Sequence, residues 1–255
     1  MRNLRPKKHL GQHFLKDPAI ADRIVAQLSA GPEEEVVEIG PGEGILTAGL
    51  LARYPRLKMV EVDDAAVGLL RRRFELAEGQ LIHADVLKWD WQSGLQPDSY
   101  LIGNLPYNIS SPFFFRLLEH LPLVRQGVFM VQQEVAARIC AAHGSKTYGI
   151  LSVLLGACFE RHYLFDVPPS AFRPPPRVMS AVLRLERKPG LPGVQPDKLK
   201  QLVKMAFNQR RKQLKNALKG LVIPDFEGKE KLLQLRAEQL SVADFIWLAR
   251  QLEQS

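Results

Sequence analysis

The feature that most constrains this chain is a recurring change of period, in which short apolar runs stop at glycine or an acid and a helical pattern follows. The clearest case is Glu35-Val-Val-Glu-Ile39, a buried-strand run cut off by Gly40-Pro41-Gly42, after which 46–52 reads as helix. The same alternation continues with strands at 57–62, 80–83, 100–102 and 128–131, and helices at 65–74, 113–120 and 135–142. Strands that alternate with helices need right-handed crossovers, so the sequence predicts a doubly wound, mostly parallel α/β sheet with helices on both faces. Ahead of it, 18–30 reads as an amphipathic helix with Asp17 as N-cap and Pro18 in the first turn.

The pattern changes after Tyr148. Strands are predicted at 159–167 and 181–185, joined by Pro168-Pro169 through Pro174-Pro175-Pro176, a stretch that cannot be helical and favours a stiff extended loop. Pro189-Gly-Leu-Pro-Gly193 reads as a linker, and helical patterns dominate from Pro196 onward. The predicted division is an α/β domain over 1–188 and a small, basic, all-helical domain over 189–255.

Charge separates these parts. The formal net charge is +8, while from Arg184 to Lys219 eleven Lys and Arg stand against Glu186 and Asp197. Localised cationic charge of this kind suits a polyanion. Spacings of four and seven place Lys204, Arg211 and Lys215 on one side of a predicted helix, with Arg210 and Lys212 beside them, a row suited to a phosphate backbone. Arg71-Arg72-Arg73 reads instead as a solvated helix face.

Other classes find little support. Two cysteines, Cys140 and Cys158, are too few for a disulfide framework. Cys140 and His143 could pair on a metal, but two ligands do not make a structural site, so no metal is expected. The histidines at 9, 83, 120 and 162 show no motif spacing. No apolar run approaches the roughly 20 residues of a membrane span, and no apolar signal core follows the basic N-terminus. A soluble, monomeric, cytoplasmic protein is expected.

Three successive strand ends carry ligand chemistry. Gly40, Gly42 and Gly44 follow the first, Glu61 ends the second seventeen residues past Gly44, and Asp85 ends the third. Glycines let the backbone approach a ligand closely, a carboxylate at Glu61 can accept from ribose hydroxyls, and Asp85 can accept from an adenine amino group. A dinucleotide fingerprint would need glycine at position 45, which is Ile45, and Glu43 disfavours phosphate in this turn. S-adenosylmethionine, a nucleoside with a cationic sulfonium and no phosphate, fits better.

Asn104-Leu105-Pro106-Tyr107 follows the fourth predicted strand at the same sheet edge. An adenine amine is a poor nucleophile because its lone pair is delocalised. Acceptors on both N–H bonds, Asn104 Oδ1 and the Leu105 carbonyl, would localise it. Pro106 restricts Leu105 to extended geometry, and Tyr107 offers a face for an extruded base. Taken alone, the tetrapeptide is equally a proline turn; following Gly40, Glu61 and Asp85, it reads as a methyl-transfer centre.

At residues 103–112, Gly-Asn-Leu-Pro-Tyr-Asn-Ile-Ser-Ser-Pro, the chain resembles the bacterial small-subunit (16S) rRNA adenine N6-dimethyltransferases. The likeness covers nearly the whole length. It includes Lys8-His-Leu-Gly-Gln-His-Phe-Leu15, Glu38-Ile-Gly-Pro-Gly-Glu-Gly-Ile-Leu-Thr47, Val167-Pro-Pro-Ser-Ala-Phe172, Pro174-Pro-Pro-Arg-Val178 with Ser180, Phe207-Asn-Gln-Arg-Arg-Lys212, Arg236-Ala-Glu238 and Leu240-Ser241. The resemblance implies a Rossmann-like methyltransferase fold and transfer of methyl groups to two adjacent adenosines near the 3′ end of small-subunit rRNA during subunit assembly. It assigns cofactor contacts to His13, Leu15, Gly40, Glu61, Asp85 and Asn104, with Val62 and Val86 flanking the cofactor's adenine. It makes Asn104 and Tyr107 contacts of the target base and Phe172 a second aromatic plate; read without the family, Phe172 is a loop anchor packed on the prolines. His13 departs from the commoner asparagine of the motif, and Met179 from a commoner polar residue. Rival readings are a large-subunit (23S) rRNA adenine methyltransferase of the macrolide-resistance type, a non-catalytic assembly or RNA-binding factor, and a DNA adenine methyltransferase.

Overall fold

The computed structural model describes residues 4–7, 10–190 and 192–253; Lys8 and His9 of the N-terminal motif and Leu191 of the linker lie outside the described residues. The chain runs β1 (Phe14–Leu15), α1 (Pro18–Val25), β2 (Val36–Ile39), α2 (Ile45–Arg53), β3 (Lys58–Glu61), α3 (Asp64–Arg73), β4 (Leu81–His83) and α4 (Trp91–Gly94). It continues with β5 (Ser99–Asn104), α5 (Ser110–Glu119), β6 (Val124–Gln132), α6 (Gln133–Cys140), α7 (Ile150–Cys158), β7 (Phe159–Val167), β8 (Phe172–Arg173) and β9 (Ser180–Arg187). Helices α8 (Pro196–Asn208), α9 (Leu214–Ala217), α10 (Lys229–Gln234) and α11 (Val242–Glu253) follow.

Among the described residues one sheet has seven strands in the order β4-β3-β2-β5-β6-β9-β7. The four pairs from β4 through β3, β2 and β5 to β6 are parallel, as predicted, and β6 pairs antiparallel with β9. Strand β2 is buried throughout, the mark of a strand covered on both faces, which is why its sequence is a nearly continuous apolar run. Succession along the chain runs outward from β2 through β3 to β4 on one side, and from β5 to β6 on the other. The β2–β5 boundary is therefore the switch point where a doubly wound sheet opens a crevice at its carboxyl edge.

Local chemistry explains several boundaries. Asp17 caps α1, accepting from Ala19 N at 3.0 Å and Ile20 N at 3.3 Å. That helix stops at Val25, short of the predicted 30, because Gln27 N and Leu28 N turn to the carbonyls of Ile24 and Val25 and tighten the last turn. Helix α7 has no counterpart in the sequence reading. Every residue from Leu151 to Cys158 is buried, so it lacks the polar face that makes a surface helix visible as a periodic stripe.

The chain divides into two compact units, one of residues 1–136 with 162–187, the other of 137–161 with 188–255. One break falls between 187 and 188, and 137–161 packs with the C-terminal helices. The cause is α7, whose apolar surface is covered by α8 and α11. Within the same unit, Arg161 holds α6 to α7 by donating to the carbonyls of Ile139 and Ser152. The second unit carries sixteen Lys and Arg against eight Asp and Glu, and the first has nineteen of each sign. The whole excess of +8 thus belongs to the second unit.

At the switch point β2 and β5 approach closely beside Gly103, where a Cβ would stand 2.4 Å from the Ile39 carbonyl oxygen. Gly103→Ala must push the two strands apart at the crevice. It should destabilise the protein by about 1–3 kcal/mol, read as a lower urea midpoint with an unchanged slope; an unchanged midpoint contradicts this close approach.

Candidate active site

The carboxyl ends of β2, β3 and β5 and the loop after β4 open into a cavity of about 280 Å³. Gly40, Glu61, Val62, Asp85, Val86 and Asn104, all singled out from sequence, line it together with His13, Leu15, Leu105 and Tyr107. At Gly40 the chain takes φ +65° and no atom lies within 4 Å of where a Cβ would point, so the backbone is bare toward open space.

Glu61 is nearly buried and organises the surrounding loops. Its Oε1 accepts from Val62 N and Asp63 N, both at 2.9 Å, and its Oε2 from Gly42 N at 3.0 Å. A carboxylate offers roughly four lone-pair sites, so one remains open, on Oε2. Burial pushes the Glu61 pKa up, and the three backbone N–H groups only partly offset this. Beside it Val62, a lining residue, is 45% exposed, while Val86 is buried. Asp85 Oδ1 accepts from Leu87 N at 3.0 Å, and its Oδ2 lies 3.8 Å from Lys88 Nζ.

Asn104 is the last residue of β5, in register with Met130 of β6, and not a residue following the strand. Its Nδ2 donates to the His13 carbonyl at 3.0 Å, which leaves Oδ1 as the free end of the amide among the described residues. The next peptide is fixed as well: Leu105 N donates to the Met130 carbonyl at 3.0 Å. The Pro106 carbonyl is taken by Ile109 N and Ser110 Oγ, each at 3.1 Å, whereas no donor meets the Leu105 carbonyl among the described residues. Two acceptors on consecutive residues are therefore without a donor among the described residues. The Tyr107 hydroxyl shares a hydrogen bond of 2.7 Å with Ser180 Oγ, and burial raises its pKa.

Phe172 does not line the cavity. It is 2% exposed and packs in the core with Leu15, Ile24 and Val182, because β8 pairs antiparallel with β1 and sets Phe172 opposite Leu15. The aromatic ring next to Tyr107 is that of His13, 5.2 Å away between centroids.

Several site residues escaped the sequence reading. Lys7 Nζ and Gln12 Nε2 donate to the two oxygens of buried Asp63, at 2.7 and 2.9 Å, and hold the N-terminal segment over the cavity. Burial alone would raise the Asp63 pKa, but these bonds and Ala65 N–H bring it below the ordinary carboxylate value. Its place two residues after a strand-ending acid, as N-cap of α3, was the available signal. Glu43 accepts from Leu4 N at 2.8 Å and pairs with Arg173 at 2.5 Å. Glu38, on β2, is 1% exposed and accepts from Thr47 Oγ1 at 2.6 Å.

The basic residues fall differently from the single helical side predicted for them. Helix α8 ends at Asn208, Arg210 N and Lys212 N close tight turns onto Phe207 and Gln209, and Lys215 sits on the separate helix α9. Arg210 is committed inside its unit, donating to Glu238 at 2.6 Å and to the Ser145 carbonyl at 3.3 Å. Lys204, Arg211, Lys212 and Lys215 are exposed. Among the described residues no group of three or more His, Cys, Asp or Glu could hold a metal ion, and no helix is long and apolar enough to cross a membrane.

The family model described as ribosomal RNA adenine dimethylase matches residues 3–254. A Bacteroides fragilis protein named ribosomal RNA small subunit methyltransferase A is 43% identical, over 100% of this chain and 95% of its own length. The Pseudomonas aeruginosa protein of the same name is 42% identical over 97% and 95%. Among solved structures, a dimethyladenosine transferase from Plasmodium falciparum superposes with a TM-score of 0.80 at 25% identity, covering 92% of this chain and 96% of that one. The 23S rRNA methyltransferase ErmE superposes at 0.74 with 22% identity over 94% and 99%, a likeness of fold.

Burial of Glu38, with Glu61 nearby, pushes its pKa up to about 8 from 4.5. Between those values the native state holds a proton that the unfolded chain releases, so stability falls as pH rises, by at most about 1.4 kcal/mol per pH unit. Glu38→Gln cannot ionise and should lose this component. Urea unfolding at pH 5.5 and 7.5 should show a smaller drop for the variant than for the wild type; equal drops would place the linkage elsewhere.

Proposed function

The chain belongs to the ribosomal RNA adenine dimethylase family, and from that premise we propose that it carries methyl groups from S-adenosylmethionine to the N6 of two adjacent adenosines near the 3′ end of small-subunit (16S) rRNA, giving N6,N6-dimethyladenosine during assembly of the subunit. The observation that carries this reading is the pair of open acceptors, Asn104 Oδ1 and the Leu105 carbonyl, on the wall of a cavity suited to a nucleoside.

The residues present fit the cofactor. Gly40 offers bare backbone, Glu61 one lone-pair site for ribose, Asp85 a carboxylate for the adenine amino group, and Val62 and Val86 apolar contact for its ring, with Leu15 and the backbone of His13 closing the remaining side. When bound, the cofactor supplies an electrophilic methyl group on a sulfonium. The protein's own task is to present the amine. Asn104 Oδ1 and the Leu105 carbonyl would accept the two N6–H bonds and localise the nitrogen lone pair for attack on that methyl group. A base stacked on Tyr107 is thereby held in attacking geometry. The proton lost from N6 would pass to solvent, so positioning and electrostatics by these residues suffice without a strong base.

The second unit, with its +8 charge, is the natural RNA-binding part, through Lys204, Arg211, Lys212 and Lys215. Arg210 serves it indirectly by fixing the turn. The protein acts as a monomer in the cytoplasm on an assembling subunit.

Asn104→Ala should abolish methyl transfer to undermethylated small-subunit particles while binding S-adenosylmethionine nearly as well as the wild type; near-normal turnover contradicts the role of the amide. Transfer by the wild type to naked large-subunit rRNA, and not to those particles, overturns the substrate assignment. Arg211→Ala should weaken RNA binding and reduce the slope of log K against log salt by roughly 0.7–0.9. An unchanged slope removes this turn from the RNA interface.

A further inference from the structure

We infer that the imidazole of His13 positions the target base and does not serve the cofactor, an inference that rests on the function proposed above. One residue here makes three contacts. Its carbonyl receives Asn104 Nδ2 at 3.0 Å, its ring lies 5.2 Å from that of Tyr107 with the planes 30° apart, and its Nδ1 stands 2.8 Å from the Pro174 carbonyl oxygen. A carbonyl only accepts, so Nδ1 carries the proton and donates, which fixes the tautomer and the orientation of the ring. Two of the three partners, Asn104 and Tyr107, are groups assigned above to the target base, and the third, the Pro174 carbonyl in the loop after β8, fixes the ring in place. Among the described residues the ring has no hydrogen bond to Gly40, Glu61 or Asp85, the cofactor side of the same cavity.

Tyr107 is thereby held at two points. Ser180, fully buried on β9, fixes its hydroxyl at 2.7 Å, and His13 lies against its ring. A stacking surface fixed before the base arrives loses less freedom on binding. Asparagine at position 13 would keep the carbonyl bond to Asn104, which needs only the backbone, but would remove the ring. His13 is therefore a positioning residue acting through Tyr107.

His13→Asn, His13→Phe and His13→Ala separate these functions. S-adenosylmethionine affinity is measured by calorimetry, and KM and kcat on undermethylated small-subunit particles. His13→Asn should bind S-adenosylmethionine within about two-fold of wild type and lose about 2- to 10-fold in kcat/KM for the particles, the range an aromatic pair contributes. His13→Phe, which restores a ring without the Pro174 bond, should recover part of that loss relative to His13→Ala. Weakened S-adenosylmethionine binding in His13→Asn with unchanged constants for the particles would make the side chain a cofactor ligand and overturn the inference. A His13→Phe variant no better than His13→Ala would overturn it as well. A wild-type protein that methylated no adenine would instead overturn the functional assignment beneath it.

Discussion

The constraint on which the rest of the site depends is the buried carboxylate of Glu61. Removing a carboxylate from water is costly unless donors replace the water, and here the donors are the backbone N–H groups of Gly42, Val62 and Asp63. Meeting that demand bends the loops after β2 and β3 toward each other and makes one wall of them. One strand away Glu38 is pushed toward its protonated form chiefly by its own burial, with Glu61 adding to it.

Around this wall the N-terminal segment forms a second layer. Asp63 receives Lys7 and Gln12, Glu43 receives Leu4 N and Arg173, and β1 zips onto β8. Each of these bonds joins residues distant in sequence, and together they bring His13 and Leu15 to the cavity.

What was legible in the sequence follows from the range of the interactions involved. Gly40, Glu61, Asp85 and Asn104 stand at strand ends, and strand ends in a parallel sheet share one edge, so local patterns were enough to gather them. The burial of Phe172 was not legible, because its environment is set by the pairing of β1 with β8, which leaves no periodic mark in two residues of each strand, and His13 was reached only through the family resemblance. Helix α7 was hidden by complete burial. The predicted row of Lys204, Arg211 and Lys215 assumed that α8 continued, whereas the chain turns after Asn208 and Arg210 is drawn inward by Glu238.

The β1–β8 ladder also bears on how the protein is made. Phe14 and Leu15 leave the ribosome roughly 160 residues ahead of Arg173 and Phe172, their partners. Until those follow, one wall of the cavity has nothing to pair with. Closing so long a loop is the slow kind of step in folding, so a nascent chain can build β2 through β6 and still lack a finished site. Competence for the cofactor is in this sense a late property, acquired only when the two ends of the first unit meet.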